Sequence, residues 1–212
     1  PLSRFVLLAS LVYAQTAPIR FAERAAQVKR MLDGRYAREY NIKLEEFMKW
    51  QIPDIKIDEN TFIKKIEEKD LEELFEIYSD PEVLEYTDEE VFPDISYMKI
   101  YFDSVNRGYI LKDYCELKIV YKNKAIGTCD FHSFDEDTNQ CEIGFLLNKK
   151  YWGNGFMKKC LLELIKFLSN EVGVKKIVAD IEESNSKAIS LIHKLGFMHE
   201  KATFYYWEKE NV

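Results

Sequence analysis

From about residue 55 onward, the chain alternates between the hydrophobic patterns of strands and those of helices. Apolar side chains recur at every second position over residues 115–121, and a second strand is predicted for 125–134 after a polar turn. Because Asn123 in that turn tolerates a positive φ, the two strands are predicted to form a β-hairpin. The same alternation predicts a strand for 140–147.

Helical spacing separates the predicted strands. A run of apolar residues at helical spacing begins after Asp70, and Glu73, three residues further on, predicts a capping box. Pro81 predicts the end of this helix. The other predicted elements are a strand at 55–66 and helices at 95–105, after Gly155 and from Asn185 to Gly196. A meander followed by the order β-α-β-α-β predicts an α+β fold around one mixed sheet.

Composition divides the chain of 212 residues into two parts. Residues 1–40 carry seven basic and three acidic side chains, whereas the remainder carries 23 basic and 34 acidic ones. We therefore predict an Arg- and Ala-rich N-terminal extension with helices at 1–50 and a domain at 51–212. The apolar run at 5–14 has the pattern of a secretory signal and is too short to span a membrane, but we favour packing on the domain.

The acidic body excludes nucleic acid as a partner and favours cationic amines, since its field repels phosphate. The chain has four cysteines and no Cys-x-x-Cys pair, which predicts reduced thiols in a cytoplasmic protein. Its three histidines are scattered, so no metal site is predicted. No membrane association is expected.

The most informative motif joins the strand at 140–147 to the next helix. It comprises Trp152, Gly153, Asn154, Gly155, Phe156 and Met157. The first amides of a helix lack intrahelical partners and carry the positive end of its dipole, so this loop predicts a site for a phosphate group. The two glycines allow a tight turn and close approach of an anion.

A carboxylate stands within the apolar strand that precedes this loop. Glu142 and Gly144 share one face of it, and because glycine fills no volume we expect open space beside the carboxylate. A base that deprotonates an amine needs a raised pKa, which an apolar floor provides. The alternative is an ordinary solvent-facing glutamate paired with a lysine.

These features together resemble the GNAT N-acetyltransferase superfamily, in particular its ribosomal-protein N-terminal acetyltransferase-like branch. The resemblance covers about residues 55–209 and rests on the Glu142 strand, on the loop ending at Met157, and on Asn185 with the Leu195-Gly196-Phe197 motif. It implies a mixed, mostly antiparallel central sheet flanked by helices. It also implies acetyl-CoA as co-substrate and a cytoplasmic acyltransferase.

The resemblance assigns roles to individual residues. Glu142 would be the general base, and the backbone groups of Leu146 and Leu147 would pair with the pantetheine arm and help stabilise the oxyanion. The loop amides would bind the diphosphate, and the Asn185 amide would contact the pantetheine or diphosphate region. Asn185 is equally well explained as a plain N-cap.

The chain departs from the superfamily pattern at the group that protonates the leaving thiolate. Ile192 replaces a tyrosine found in many members, and Ala188 stands where some relatives have serine. Water or one of three other tyrosines would then serve, namely Tyr86, Tyr205 or Tyr206.

The function expected from the resemblance is transfer of an acetyl group to a primary amine by direct attack. The acceptor stays open among a protein N-terminus, an amino acid, a polyamine and an aminoglycoside-like drug, and a homodimer is left open too. The alternatives are a non-catalytic acyl-CoA sensor or assembly module, and an acyltransferase for a longer donor.

Overall fold

The structure, a computed structural model, describes residues 52–111, 114–135 and 137–209. The extension predicted for residues 1–50, with its apolar run and its helices, lies outside these residues. The boundary between that extension and the domain at 51–212 therefore stays a prediction.

The described residues form one sheet of eight strands in the order β1-β2-β3-β4-β5-β6-β8-β7. Neighbouring strands are antiparallel except β5 and β6, which are parallel. The strands are β1 Ile55–Lys56, β2 Thr61–Lys65, β3 Tyr114–Tyr121, β4 Lys124–Asp135, β5 Gln140–Leu147, β6 Lys176–Asp180, β7 Met198–Lys201 and β8 Phe204–Glu208. This confirms the predicted fold class.

Helices flank the sheet on both faces. They are α1 Leu71–Tyr78, α2 Ser96–Leu111, α3 Phe156–Phe167 and α4 Ser186–His193. Side chains of α1 and α2 form a buried cluster with residues of one sheet face, including Leu74, Ile77, Tyr78, Met98, Tyr101, Val105 and Ala125. On the other face the buried Cys129 thiol lies close to the buried Cys160 of α3. No helix in the described part of the chain is long and apolar enough to cross a membrane.

The hairpin prediction is confirmed, with β3 and β4 joined at Lys122 and Asn123. Both turn residues have positive φ, 49° and 65° respectively. Such a turn has the twist that a tight β-hairpin requires. The strand predicted for 140–147 is observed with the same bounds.

Two local predictions are wrong. The strand predicted for 55–66 is instead the antiparallel pair β1 and β2, separated by a turn in which the Asn60 amide donates to Asp58 Oδ1 at 3.0 Å. Asp70 does not form a capping box with Glu73. Its Oδ2 accepts from the Glu67 amide at 2.7 Å, one turn earlier, and no side-chain cap bond from Asp70 to α1 is formed.

Candidate active site

Strands β5 and β6 diverge at the centre of the sheet. Their parallel pairing covers only Gln140–Glu142 against Lys176–Val178, whereas β5 stays paired with β4 as far as Leu147. Among the described residues, the β6-facing edge of β5 therefore has no strand partner beyond Glu142. An open strand edge of this kind can accept an extended ligand through its backbone groups.

The hydrogen-bond alternation of β5 decides which backbone groups face the opening. The Asn148 amide donates to the Ile126 carbonyl at 2.8 Å, and this pair continues the β4–β5 register. Because antiparallel bonds alternate, the backbone groups of Leu146 point to β4 while those of Phe145 and Leu147 point to the open side. Of the two residues expected to bind pantetheine, only Leu147 directs its backbone groups towards the opening, whereas Leu146 directs its own to β4. Phe145 also directs its backbone groups towards the opening.

Trp152 lies at the end of this open edge. Its indole Nε1 donates to the Leu147 carbonyl at 2.7 Å, so that carbonyl already has a partner. The Lys187 ammonium at the start of α4 stands 4.4 Å from the centroid of the Trp152 ring. Trp152 therefore connects the end of β5 to the start of α4, and Lys187 places a positive charge beside the predicted diphosphate loop.

The loop before α3 has the backbone conformation expected for an anion site. Gly153 and Gly155 have φ of +74° and +76°, and a Cβ built on either would meet no atom within 4 Å. Gly155 is the N-cap of α3, no side chain caps the helix there, and the first turn of α3 contains no acidic residue. The open space and the free helix amides fit the diphosphate of a coenzyme.

Side chains of the loop are directed away from that space. The Phe156 ring packs against Tyr121 at 4.7 Å and Tyr151 at 5.9 Å between centroids, and Met157 is buried. The Asn154 side-chain amide donates to the Trp152 carbonyl at 3.0 Å and holds the turn. The loop would therefore contact a ligand through backbone amides.

Asn185 is the N-cap of α4. Its Oδ1 accepts from the Ala188 amide at 3.1 Å, as the plain capping interpretation requires. The cap uses only the side-chain oxygen, and the Nδ2 donor is not part of it. Both functions assigned to Asn185 are therefore compatible with this geometry.

Glu142 is the last residue of β5 that pairs with β6, at the point where the two strands diverge. Its side chain is 30% exposed, and its Oε1 lies 3.8 Å from His132 Nε2 on the neighbouring strand. Burial raises the pKa of Glu142, the charge on His132 lowers it, and the carboxylates of Asp180 and Asp130 add to the rise. The net shift is upward, in the direction a general base near neutral pH requires.

The space expected above Gly144 is filled, which corrects the sequence prediction. A Cβ built on Gly144 would lie 2.4 Å from Asp130 Oδ2, because Asp130 is its cross-strand partner and the Asp130 carboxylate lies over the glycine. Asp130 in turn accepts from, or shares a proton with, His132 Nδ1 at 2.9 Å. Gly144 thus makes room for a second carboxylate beside Glu142.

A third carboxylate lies deeper on the same face. Glu116 pairs across the strands with Asp130, is buried, and accepts hydrogen bonds from Tyr78 at 2.5 Å and Tyr114 at 2.6 Å. Burial, with a further contribution from the charge of Asp130, raises the pKa of Glu116 to about 7 against the lowering effect of the tyrosine hydroxyls. The bond from Tyr78 attaches α1 to the sheet below the site.

The structure separates the three tyrosines considered as acids. Tyr205 pairs with Ala179 and Tyr206 with Val178, while Val178 pairs with Glu142. Because paired residues point to the same side of a sheet, Tyr206 shares the Glu142 face and Tyr205 lies on the opposite face. Tyr86 lies in the segment after α1 and is within electrostatic range of Glu182, which precedes α4.

No prediction from the sequence included Asp130, His132 or Glu116 in the site. Their signal was present, since polar residues at every second position of otherwise apolar β3 and β4 indicate a polar stripe on one sheet face. Only the strand register shows that this stripe leads to Glu142.

Comparison with known proteins identifies the family. A protein-family model, that of the acetyltransferase (GNAT) domain, matches residues 60–198, which is more than half of the chain. The chain therefore belongs to the GNAT acetyltransferase family and is an acyltransferase that uses acetyl-CoA.

Individual relatives agree with this assignment. The uncharacterized N-acetyltransferase p20 of Bacillus licheniformis is 29% identical over 144 residues, covering 67% of this chain and 81% of p20. YdaF of Bacillus subtilis (strain 168), which carries a ribosomal N-acetyltransferase name, is 22% identical over 150 residues, covering 68% of this chain and 81% of YdaF.

A solved structure shows the same fold. The ribosomal L7/L12 alpha-N-protein acetyltransferase RimL in complex with coenzyme A superposes with a TM-score of 0.67 at 13% identity. The match covers 74% of this chain and 98% of that one. This likeness shows that the two chains share a fold.

Proposed function

We propose that this chain transfers the acetyl group of acetyl-CoA to a primary amine by direct attack, with Glu142 as the general base. The observation that supports this role is the place of Glu142, half-buried at the point where β5 and β6 diverge, with a raised pKa. An ammonium ion must lose a proton before its nitrogen can attack, and a carboxylate of raised pKa accepts that proton well.

The residues around the opening are suited to hold acetyl-CoA, which supplies the activated acetyl thioester. The outward backbone groups of Phe145 and the outward N–H of Leu147 would pair with its pantetheine arm, and the amides after Gly155 would bind its diphosphate. Asn185 and Lys187 at the start of α4 would bind from the other side. An outward N–H of β5 would also stabilise the oxyanion.

The acceptor to be tested first is a protein N-terminus, because YdaF carries a ribosomal N-acetyltransferase name. The acidic groups around Glu142 favour an acceptor that arrives as a cation. We propose a cytoplasmic location, in keeping with four buried, free cysteines among the described residues.

Release of free thiol from acetyl-CoA tests the function. The panel would contain a peptide with a free N-terminus, the same peptide already N-acetylated, a polyamine, free amino acids and an aminoglycoside. Thiol release with any free amine supports acetyl transfer. Coenzyme binding without thiol release across the panel would instead favour the acyl-CoA sensor, and release from longer acyl-CoA alone would favour a different donor.

The variant Glu142→Gln tests the base. We expect turnover to fall roughly 10²-fold or more, because the amide cannot accept the proton, while acetyl-CoA affinity changes little. Glu163→Gln is the matched control, since Glu163 lies on the outer side of α3 in an exposed pair with Lys166. Unchanged turnover of Glu142→Gln over the whole pH range would remove Glu142 from the mechanism.

A further inference from the structure

Asp130, His132 and Glu142 form a continuous row of titratable side chains across two neighbouring strands. His132 Nδ1 lies 2.9 Å from Asp130 Oδ1, and His132 Nε2 lies 3.8 Å from Glu142 Oε1. The register of β4 and β5 fixes the row, because His132 is the cross-strand partner of Glu142. The side chains of Asp130 and His132 are each only 15% exposed.

The hydrogen bond at Nδ1 determines the tautomer of the neutral ring. Asp130 is a carboxylate and accepts only, so Nδ1 carries the hydrogen and Nε2 presents a lone pair towards Glu142. The carboxylate of Glu142 and an unprotonated Nε2 do not attract each other. Their approach becomes favourable only when one proton lies on either of them.

We propose that His132, oriented by Asp130, is a positioning residue that takes from Glu142 the proton removed from the acceptor amine and passes it to solvent. The inference rests on the proposed function, because Glu142 must first contact the amine. It assigns to Asp130 the task of holding the imidazolium while the proton is stored.

The proton balance closes without another reactant. The ammonium N–H bond breaks as an O–H bond forms on Glu142, and that O–H bond breaks as an N–H bond forms at His132 Nε2. Glu142 is then a carboxylate again, and the imidazolium later gives the proton to water. The amine has lost one proton, and one proton has reached the solvent.

The surrounding charges determine how strongly protonation of His132 is coupled to protonation of Glu142. Burial alone would lower the pKa of His132, but the hydrogen bond to Asp130 and the carboxylates of Asp130 and Glu142 raise it above its ordinary value. Among the described residues, other titratable groups that face the row come from three elements. They are Tyr114 and Glu116 on β3, Asp180 on β6, and Glu89 in the segment after α1.

Nuclear magnetic resonance of the imidazole groups tests the coupling without any substrate. The chain has three histidines, so the His132 signal is assigned by its loss in His132→Gln. We expect the pKa of His132 to fall by about one unit or more in Asp130→Asn and in Glu142→Gln, since each loses an opposite charge within about 4–6 Å. A His132 titration that is the same in all three proteins would overturn the coupling.

The pH dependence of kcat/KM tests the relay during turnover. In the native enzyme both Glu142 and His132 must start unprotonated, so the fall of kcat/KM on the acid side should depend on about two protons. In His132→Gln this acid limb should depend on about one proton. Because protonation of His132 no longer blocks the reaction in His132→Gln, the limb should also move to lower pH.

His199→Gln is the matched control, because His199 is exposed and its Nε2 lies 2.8 Å from the nearby carbonyl of Ala202. It should keep the native profile. A His132→Gln variant whose rate falls by the same factor at every pH would indicate a structural role and would overturn the relay. Native turnover of Glu142→Gln would instead refute the proposed function, and the relay with it.

Discussion

Replacing Gly155 by valine should cost stability and coenzyme binding, and the chain contains a residue that separates the two effects. Gly155 has φ +76° and ψ 6°, and Gly173, at the end of the π-helical turn Leu168–Val172, has φ +89° and ψ 16°. A Cβ built on either glycine meets nothing within 4 Å. The two sites therefore impose the same kind of backbone strain without a clash.

The magnitude of that strain follows from the left-handed conformation. An L-residue there costs roughly 1–2 kcal/mol, and a β-branched side chain is especially unfavourable. For a domain of this size, about 1 kcal/mol lowers Tm by roughly 2–4 °C. We thus expect Gly155→Val and Gly173→Val each to lower Tm by about 2–8 °C.

Only Gly155→Val should impair the coenzyme site. Its side chain would project into the open space before α3, and relief of the strain would turn the first helix amides away from the diphosphate. We expect the Kd for coenzyme A, measured by calorimetry well below both Tm values, to rise by at least about tenfold, which is 1.4 kcal/mol. Gly173→Val should bind normally. Native affinity in Gly155→Val, or an equal loss in both, would refute the assignment of this loop.

Two further predictions concern the rest of the molecule. Lys118→Met should lower the free energy of unfolding by about 3–5 kcal/mol in urea titrations. The Lys118 ammonium lies 2.5 Å from the buried carboxylate of Asp70, and the variant leaves that carboxylate without its cation. A loss below about 1 kcal/mol would show that the pair is dispensable. A chain that begins at Asn41 should remain folded and active in thermal melts and acetyl transfer, because the acetyltransferase pattern starts near residue 55. A shortened chain that is insoluble, or that does not bind the coenzyme, would contradict this prediction.

The sequence predicted best those elements whose signals are local. The β3–β4 hairpin follows from strict alternation and a turn at Asn123, and β5 follows from alternation between two polar segments. Gly155 was recognised because a left-handed N-cap before an amphipathic helix needs only neighbouring residues. In each case the residues that determine the conformation lie within one element or its turn.

The wrong predictions involve partners that are distant in the chain. Asp70 was expected to cap its own helix, but Lys118, 48 positions away, binds its carboxylate in the core. The space above Gly144 was expected to be open, but Asp130 fills it from the neighbouring strand. Such contacts depend on strand register and on packing, which periodicity within one element does not contain.

The missing acid for the leaving thiolate is consistent with the proton balance of the proposed mechanism. Ile192 is fully buried and Ala188 nearly so, so α4 contributes packing where many relatives have a hydroxyl. An ammonium acceptor brings one proton that leaves through Glu142, and its nitrogen still carries another that must be lost once it is bonded to the acetyl carbon. A thiolate whose conjugate acid has a pKa near 8.5 can take that second proton as it departs. The acceptor itself then supplies the acid, and replacing the tyrosine by isoleucine does not block the reaction.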